Sequence, residues 1–173
     1  KIEEETQPIE KFIDEVMSVR LVTTPGTAIY MSSNPKGTPP ALVKNMKHNR
    51  VLHKQIIVLS IIFKKIPHTV IEESIEIENP TDGFYRVIAP YGFMDNANIH
   101  QVIEVLNTKG LSININKTTF FLGRELIVAK EKYGLTRLRK KLFILLSRNS
   151  QRVTDFFNIP NDRVFEVGSQ IEI

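Results

Sequence analysis

The part of the chain best suited to bind a small ligand runs from position 33 to position 44. The pattern there predicts a strand, then a polar loop that contains glycine, then a helix that opens at two prolines. Backbone N–H groups at such a loop and helix start can hold an anion or the phosphates of a nucleotide. We therefore predict an anion or nucleotide site formed by Ser33, Asn34, Lys36, Gly37 and Lys44.

The same segment has a plainer interpretation, which is the commoner one for a sequence of this kind. It lacks the Gly-x-x-x-x-Gly-Lys-Ser/Thr spacing of a P-loop. Asn34, Gly37 and the prolines at 39 and 40 are residue types that an ordinary loop leading into a helix uses. A loop-to-helix junction without a ligand is thus the alternative to a binding site.

Two further pairs of residues could do chemistry, but neither makes a complete site. His48 and His53 are five positions apart, whereas two zinc ligands on one helical face are normally four apart. Arg124 and Glu125, in a predicted Leu-Gly-Arg-Glu turn, could form an ion pair or an acid–base site, but no nucleophile or oxyanion-hole motif accompanies them. We interpret Gly123 as required by the backbone of that turn. The sequence therefore predicts no enzyme, no metal site and no cofactor.

Composition indicates one soluble globular domain. The chain has 173 residues, of which 42% are apolar and 24% are charged, and it contains no cysteine for a disulfide or thiolate metal site. Its most apolar run, residues 56–63, is far shorter than the roughly 20 residues that cross a bilayer and is typical of a buried strand. The start is acidic and has no apolar signal segment, so we expect a soluble piece excised from a longer protein.

The distribution of basic residues helps to choose between nucleic acid and a membrane surface as a partner of the chain. The net charge is +4, and basic residues gather between positions 130 and 152. Nucleic acid is not predicted as a partner, because no zinc-finger, RNA-recognition or Arg/Gly-rich signature accompanies this charge. A surface under an anionic membrane would gain roughly 1 kcal/mol per nearby basic residue. We predict such a membrane or partner contact at Arg137, Lys140, Lys141 and Arg148, with solvated charges around a core helix as the alternative.

Periodicity predicts the elements that would position these residues. Apolar residues recur at helical spacing in 9–19, which predicts a connector helix. Strands at 27–32 and 55–63 flank a helix at 41–49, so these three elements form a βαβ unit with parallel strands.

The second half of the chain adds a hairpin, helices and further strands. A turn at 79–83 separates two extended segments, which predicts an antiparallel hairpin. A helix at 98–108 ends at Lys109 and Gly110. Beyond it we expect strands at 113–121 and 125–130, a helix at 135–156 and a final strand at 164–173. The predicted fold class is α/β, a single domain with a mixed, largely parallel β-sheet and packed helices.

Short blocks spread along the chain carry a resemblance to a known family. The blocks are Thr24-Pro25-Gly26-Thr27-Ala28, residues 45–54, Gly83-Phe84-Tyr85-Arg86, Tyr91-Gly92-Phe93-Met94, residues 120–125, residues 147–150, residues 154–160 and residues 163–173. Each block is weak alone, but together and in this order they resemble the C-terminal cytoplasmic region of Kup-type potassium uptake permeases, the KUP/HAK/KT family.

The resemblance implies that the chain belongs to a proton-coupled potassium importer. Members of the family have their ion path in a large membrane portion that precedes this region, so potassium and protons would be transported outside this chain. Residues 1–23 would then be a connector from the missing membrane portion. Residues 24–173 would be a cytosolic domain at the cytoplasmic face of the inner membrane, and the resemblance carries over no catalytic role.

The role of the domain itself is open to alternatives. We expect regulation or assembly of the transporter, with the membrane portion of the same polypeptide as a partner and with a homodimer or a regulatory nucleotide as further partners. The main alternative is a stand-alone nucleotide- or anion-binding regulatory domain. A small hydrolase or transferase is disfavoured, because the sequence has no triad, metal cluster or paired-carboxylate signature.

Overall fold

The described strands form one sheet, whose middle is parallel. The computed structural model describes residues 9–18, 21–128 and 153–172, and the strands within these ranges form one six-stranded sheet in the order β3-β4-β2-β1-β5-β6. The strands are β1 (Val22–Met31), β2 (Val51–Lys64), β3 (Glu76–Thr81), β4 (Phe84–Gly92), β5 (Thr118–Val128) and β6 (Val164–Glu172). The apolar runs at residues 28–31 of β1 and 56–59 of β2 fit their central places, since a parallel strand is buried on both faces.

Helices cover both faces of the sheet. They are α1 (Ile9–Ser18), α2 (Pro40–Lys44), α3 (Ile71–Ser74), α4 (Ile99–Thr108) and α5 (Val153–Phe156). Alternate residues of β2 enter different cores, because successive side chains of a strand point to opposite faces. One core, called the α4 core, contains Ile57, Leu59, Val102, Leu106 and Phe120. The other, called the α2 core, contains Phe12, Tyr30, Leu42, Val58 and Phe121.

The predicted fold class is confirmed. Every neighbouring pair of strands in the sheet is parallel except β3 and β4, which are antiparallel. The βαβ unit is present as β1, α2 and β2. The predicted hairpin is present as β3 and β4, and its turn contains Gly83 with φ +74°. A Cβ at Gly83 would also overlap the Lys54 carbonyl, so the turn depends on glycine for two reasons.

The prediction of a turn at residues 122–125 is wrong. β5 runs without interruption through these residues, and Gly123 is paired with Val167 of β6. The parallel partner supplies ladder hydrogen bonds along the whole segment, which overrides the local preference of glycine for turns. Gly123 has no positive φ, and a Cβ there would meet nothing within 4 Å. The interpretation of this glycine as a backbone requirement is therefore also wrong.

Smaller differences concern where elements begin and end. The helix predicted at 41–49 is α2 followed by a π-helical turn, Asn45–Asn49, which ends at Arg50 in the left-handed conformation with φ 53°. The extended segment predicted before the turn at 79–83 begins at Glu76, after the short helix α3, and continues to Thr81. Of the helix predicted at 135–156, only α5 lies within the described residues. Among the described helices, none is long and apolar enough to cross a membrane.

Candidate functional site

The carboxyl edge of the sheet is uneven, and its shape defines the candidate site. β1 ends at Met31, which is paired with Leu59 of β2. β2 continues beyond this point through residues 60–64, paired with β4. On the other side, β5 pairs with β1 as far as Phe121 and continues with β6 to Val128. We call the carboxyl ends of β2 and β4 the β2/β4 ridge, and those of β5 and β6 the β5/β6 ridge. Both ridges extend beyond the end of β1, by roughly 3.3 Å for each additional residue. The end of β1 therefore lies in a notch between them.

The notch is also where the chain reverses its direction across the sheet. β1 is followed by α2 and then by β2 on one side, with α2 packed in the α2 core. From β4, helix α4 carries the chain over the opposite face to β5, on the other side of β1. In open α/β sheets, ligands bind outside the carboxyl ends of the strands at such a switch point. The loop after β1 thus occupies the usual ligand position of this architecture.

This loop is folded by its own polar side chains. The Ser32 hydroxyl donates to the Asn34 carbonyl at 2.8 Å. The Asn34 side-chain oxygen accepts from the backbone N–H of Lys36 at 3.0 Å, which makes an Asx-turn. Ser33, Asn34 and Lys36 are exposed, whereas Gly37 is buried. The structure therefore presents three of the five predicted ligand residues to solvent on one loop.

Lys44, another predicted ligand residue, contacts a ridge. Its Nζ donates to the Gly168 carbonyl of β6 at 3.0 Å. This hydrogen bond ties the end of α2 to the β5/β6 ridge. The structure thus gives Lys44 a bracing contact, separate from the hydrogen bonds that fold the loop after β1.

The start of α2 offers an anion few donors. Pro39 and Pro40 have no N–H group, and the N–H groups of Leu42 and Val43 donate to the Pro39 carbonyl at 2.9 Å and 3.2 Å. The anion site stays a prediction. It depends on the notch and on the exposed side chains of its loop rather than on the dipole of a five-residue helix.

Beside the notch, the sheet carries a polar contact that sequence reasoning missed. The Asn45 amide donates to the Tyr30 hydroxyl at 3.0 Å and to the Val51 carbonyl at 2.9 Å. The Tyr30 ring stacks on Phe121 with a centroid distance of 4.4 Å, and Phe121 stacks on Phe165 at 5.6 Å. Burial raises the pKa of Tyr30 well above its ordinary value. Tyr30 therefore stays neutral and links β1, the π-helical turn and β5.

A second polar junction joins the loops at the top of the β2/β4 ridge. The Asp95 carboxylate accepts from the Gly92 N–H at 2.7 Å, from the Thr69 N–H at 2.8 Å and from His68 Nδ1 at 2.7 Å. The hydrogen bond from His68, followed by that from Gly92, lowers the pKa of Asp95. A Cβ at Gly92 would overlap the Pro67 carbonyl and the Cα of His68. The close approach of the two loops therefore requires glycine at this position.

Exposed apolar side chains surround this junction. We call them the β2/β4 patch, and they are Phe63, Ile66, Val70, Phe93, Met94 and Phe156. The Phe63 ring lies 6.1 Å from that of Phe156, and the N–H groups of Phe93 and Met94 donate to the carbonyls of Ile66 and Pro67. In the sequence, these residues were marked only by the blocks 91–94 and 154–160, to which we assigned no role.

A cavity of about 640 Å³ lies near the opposite edge of the sheet, between α4 and the segment before β5. Asn107 lines it, but its amide donates to the Ile113 carbonyl at 3.0 Å and its oxygen accepts from the Ile113 N–H at 2.7 Å. Asn107 is therefore engaged in holding the backbone before β5. The notch is the better candidate for a ligand site.

Residues 25–173 match the family model described as the K+ potassium transporter C-terminal domain. The chain therefore belongs to the Kup family of potassium transporters. Three relatives named as probable potassium transport system proteins Kup support this membership. The protein from Myxococcus xanthus is 45% identical over 88% of this chain, that from Bdellovibrio bacteriovorus 39% over 100%, and Kup 1 from Geobacter sulfurreducens 40% over 96%. No solved structure matches the chain.

This Kup C-terminal domain spans about a quarter of the length of those relatives, covering 23%, 27% and 26% of them. The predicted family is confirmed. The basic residues predicted to contact a membrane or partner, Arg137, Lys140, Lys141 and Arg148, lie outside the described residues, so that contact stays a prediction. In the segment predicted to be a connector, Phe12 of α1 is fully buried in the α2 core.

Proposed function

We propose that this Kup C-terminal domain lies at the cytoplasmic face of the inner membrane and regulates or assembles a proton-coupled potassium transporter. The ion path would lie in the membrane portion of the same polypeptide. The observation that carries this proposal is that the chain covers both faces of its own sheet with its own helices while spanning about a quarter of relatives named for potassium transport. A unit with two cores of its own is suited to act beside a transport path rather than to line it.

Removal of the domain from the full-length transporter tests this proposal. We expect uptake of rubidium, a tracer for potassium, to persist without residues 24–173, with altered regulation or a smaller amount of protein in the membrane. Uptake is normalised to the transporter present in the membrane. As a control of equal length, Leu42→Asp places a charge in the α2 core, which disrupts the domain without removing it. Loss of uptake in an inserted truncation would argue for a direct role in the ion path.

A regulatory nucleotide or another anion is the second candidate, supported by the place of the loop after β1 at the switch point of the sheet. A thermal-shift titration with adenine and cyclic nucleotides tests it, since a ligand that prefers the folded state raises the melting temperature. We expect a saturable rise in the melting temperature. Lys36→Ala should weaken this rise, and Lys117→Ala, at the amino end of β5, should leave it unchanged. An equal rise in both variants would place the ligand elsewhere, and no rise would reject the candidate.

Assembly would take the form of a homodimer. β3 and β6 are the outermost strands of the described sheet, and an edge strand is a template for pairing with another chain. Phe165 on β6 is 60% exposed, which adds an apolar side chain to that edge. A mass of two chains in light scattering would support the homodimer, and a mass of one chain at every concentration would reject it.

A further inference from the structure

The first residues of β1 and β2 project beyond the neighbouring strands of the sheet. β1 pairs with β5 only from Thr27 onward, and β2 pairs with β4 only from Ile56 onward. Before these positions, β1 and β2 pair with each other and with no other described strand. We call residues 22–26 and 51–55 the amino ribbon. It extends roughly 15 Å past the starts of β4 and β5, at about 3.3 Å per residue.

The amino ribbon is held in one arrangement. Leu52 packs in the α2 core. The Asn45 amide donates to the Val51 carbonyl at 2.9 Å, and the Arg50 N–H donates to the Met46 carbonyl at 3.1 Å. Arg50 has φ 53°, a left-handed conformation that a residue other than glycine keeps only where its surroundings fix it. The ribbon is therefore a rigid support for the side chains that it carries.

Exposed basic side chains lie around this ribbon. Arg50 is beside its tip, because the Arg50 carbonyl accepts from the Val22 N–H at 3.0 Å. The backbone of Lys117 approaches its root, since a Cβ on Gly26 would lie 3.5 Å from the Lys117 carbonyl. Two further lysines belong to the ribbon itself and to the π-helical turn before it. We call these exposed residues the amino-edge cluster, and they are Lys47, Arg50, Lys54 and Lys117.

Few acidic side chains offset the cluster. Asp82 is exposed in the turn between β3 and β4. Asp162 is paired with Arg163 at 3.5 Å. Asp14 and Glu15 are exposed on α1, which covers the α2 core. Among the residues that the structure describes, the ribbon and the turn before it carry basic residues but no carboxylate.

The carboxyl edge of the sheet has a different balance of charge. Its basic residues stand among carboxylates on the loops and short helices that follow β2, β4 and α4. At that edge lie Lys36, Lys64 and Lys65 together with Glu72, Glu73, Asp95 and Asp155. A negatively charged surface would therefore attract the amino edge more strongly than the carboxyl edge. This asymmetry gives the domain a preferred orientation on such a surface.

The tip of the ribbon favours a lipid surface over nucleic acid. Val22 is 65% exposed and lies next to Arg50. Segments that bind membrane surfaces combine exposed apolar side chains with Lys and Arg. Sites for single-stranded nucleic acid instead add aromatic side chains on which the bases stack. Residues 21–26 and 50–55 contain no Phe, Tyr or Trp.

We propose that the amino ribbon binds the surface of an anionic lipid leaflet. Val22 enters the interfacial region, and the amino-edge cluster binds the phosphate groups of the lipids. This proposal rests on the proposed function, because it names the surface by which the domain would lie at the membrane. It is separate from the contact predicted for the basic residues between positions 137 and 148.

Flotation of this chain with lipid vesicles tests the proposal. The vesicles contain phosphatidylglycerol and phosphatidylcholine in equal amounts, or phosphatidylcholine alone. We expect binding to the anionic vesicles only, and weaker binding as salt is added, because salt screens exposed charges. Lys47→Glu/Lys54→Glu should weaken this binding by roughly tenfold or more. Lys64→Glu/Lys65→Glu is the matched control, since it makes the same change of charge at the carboxyl edge, and it should weaken binding much less.

A separate variant tests the apolar tip. Val22→Ser removes the apolar side chain and leaves every charge in place. We expect it to weaken binding to the anionic vesicles several-fold while the salt dependence stays the same. Circular dichroism and urea denaturation establish that each variant is folded. Unchanged binding by folded Val22→Ser would contradict the part of the proposal that places Val22 in the interface.

Other results overturn the proposal. Equal weakening in the two double lysine variants would show that net charge alone causes binding, and no binding to anionic vesicles would reject the surface outright. Loss of binding confined to a variant with alanine at positions 137, 140, 141 and 148 would assign the contact to that segment. Tighter binding to an RNA oligonucleotide, abolished by Lys47→Glu/Lys54→Glu, would assign the cluster to nucleic acid. Vesicle binding is measured without uptake, so its failure is distinguishable from failure of the proposed function.

Discussion

His68 and Asp95 contact each other through Nδ1 and Oδ1 at 2.7 Å, and this contact joins the loop after β2 to the loop after β4. Asp95 is the more buried partner, since 18% of its side chain is exposed against 69% for His68. The carboxylate also accepts two backbone N–H groups, one from each loop. The Asp95 side chain therefore joins both loops at the carboxyl end of the β2/β4 ridge, beside the backbone hydrogen bonds of Phe93 and Met94.

Asp95→Asn should destabilise the domain at neutral pH, because an amide brings N–H donors to a position where three donors already point. The folded state lowers the pKa of Asp95 below its ordinary value of 3.8. Its contribution is therefore present above the unfolded pKa and is lost as the pH falls through the lower folded pKa. Urea denaturation should show that the difference in the free energy of unfolding between the wild-type protein and Asp95→Asn becomes smaller in acid. A difference in the free energy of unfolding that does not change with pH would contradict this role. Asp82→Asn is the control, because it removes the charge of an exposed carboxylate.

Gly92→Ala and Gly123→Ala should change stability in opposite directions. At Gly92 a Cβ overlaps backbone atoms of the neighbouring loop, and forcing such a fit costs about 1–3 kcal/mol. At Gly123 a Cβ has free space and the backbone needs no glycine, so alanine should stabilise the protein by about 0.4–1 kcal/mol. Urea denaturation of the two variants decides this. Destabilisation by Gly123→Ala would contradict this expectation and would support the predicted turn, in which the backbone requires glycine.

These glycines show what local sequence could and could not predict. The helix α4 was predicted almost to the residue, because its signals are local: the Asn98 side chain accepts from the His100 N–H at 2.9 Å, and Gly110 follows the helix with φ +98°. Gly123 misled the prediction because its conformation is set by pairing with β6, which lies far away in the sequence. The roles of Gly92 and Asp95 likewise depend on a loop that is distant along the chain.

The candidate site was predictable only in part, for the same reason. The loop after β1 was found from its residue types, and its polar side chains fold it as such residues usually do. Its place in a notch depends on how far β2 and β5 extend beyond β1, which is a matter of strand register. Local composition does not encode register directly, so Lys44 was grouped with the loop although its Nζ binds β6.

Tyr30→Phe tests the polar contact beside the notch. It removes the hydroxyl that accepts from Asn45, and we expect a loss of about 0.5–1.5 kcal/mol in the free energy of unfolding. Asn45→Ala should cost more, about 1–3 kcal/mol, because it leaves the buried Tyr30 hydroxyl and the partly buried Val51 carbonyl without this donor. The double variant should cost less than the sum of the two single changes. Strict additivity would show that the two side chains do not interact.

Alkaline pH gives an independent test of Tyr30. Burial raises its pKa in the folded state above the ordinary value of 10.0. The resulting stability is present below the unfolded pKa and is lost as the pH rises above it. The free energy of unfolding should therefore fall above pH 10 in the wild-type protein and fall less in Tyr30→Phe, with Tyr85→Phe as the matched control. An identical decline in the wild-type protein and Tyr30→Phe would contradict the buried, neutral state of Tyr30.

We propose that this domain acts on a potassium transporter without forming its ion path. The most direct test compares purified full-length transporter with a truncation that lacks residues 24–173, both reconstituted in liposomes, and measures the initial rate of rubidium uptake against potassium concentration. We expect that the truncated protein still transports and keeps the KM for potassium of the full-length protein. A large change in KM, or no uptake by correctly inserted truncated protein, would contradict it.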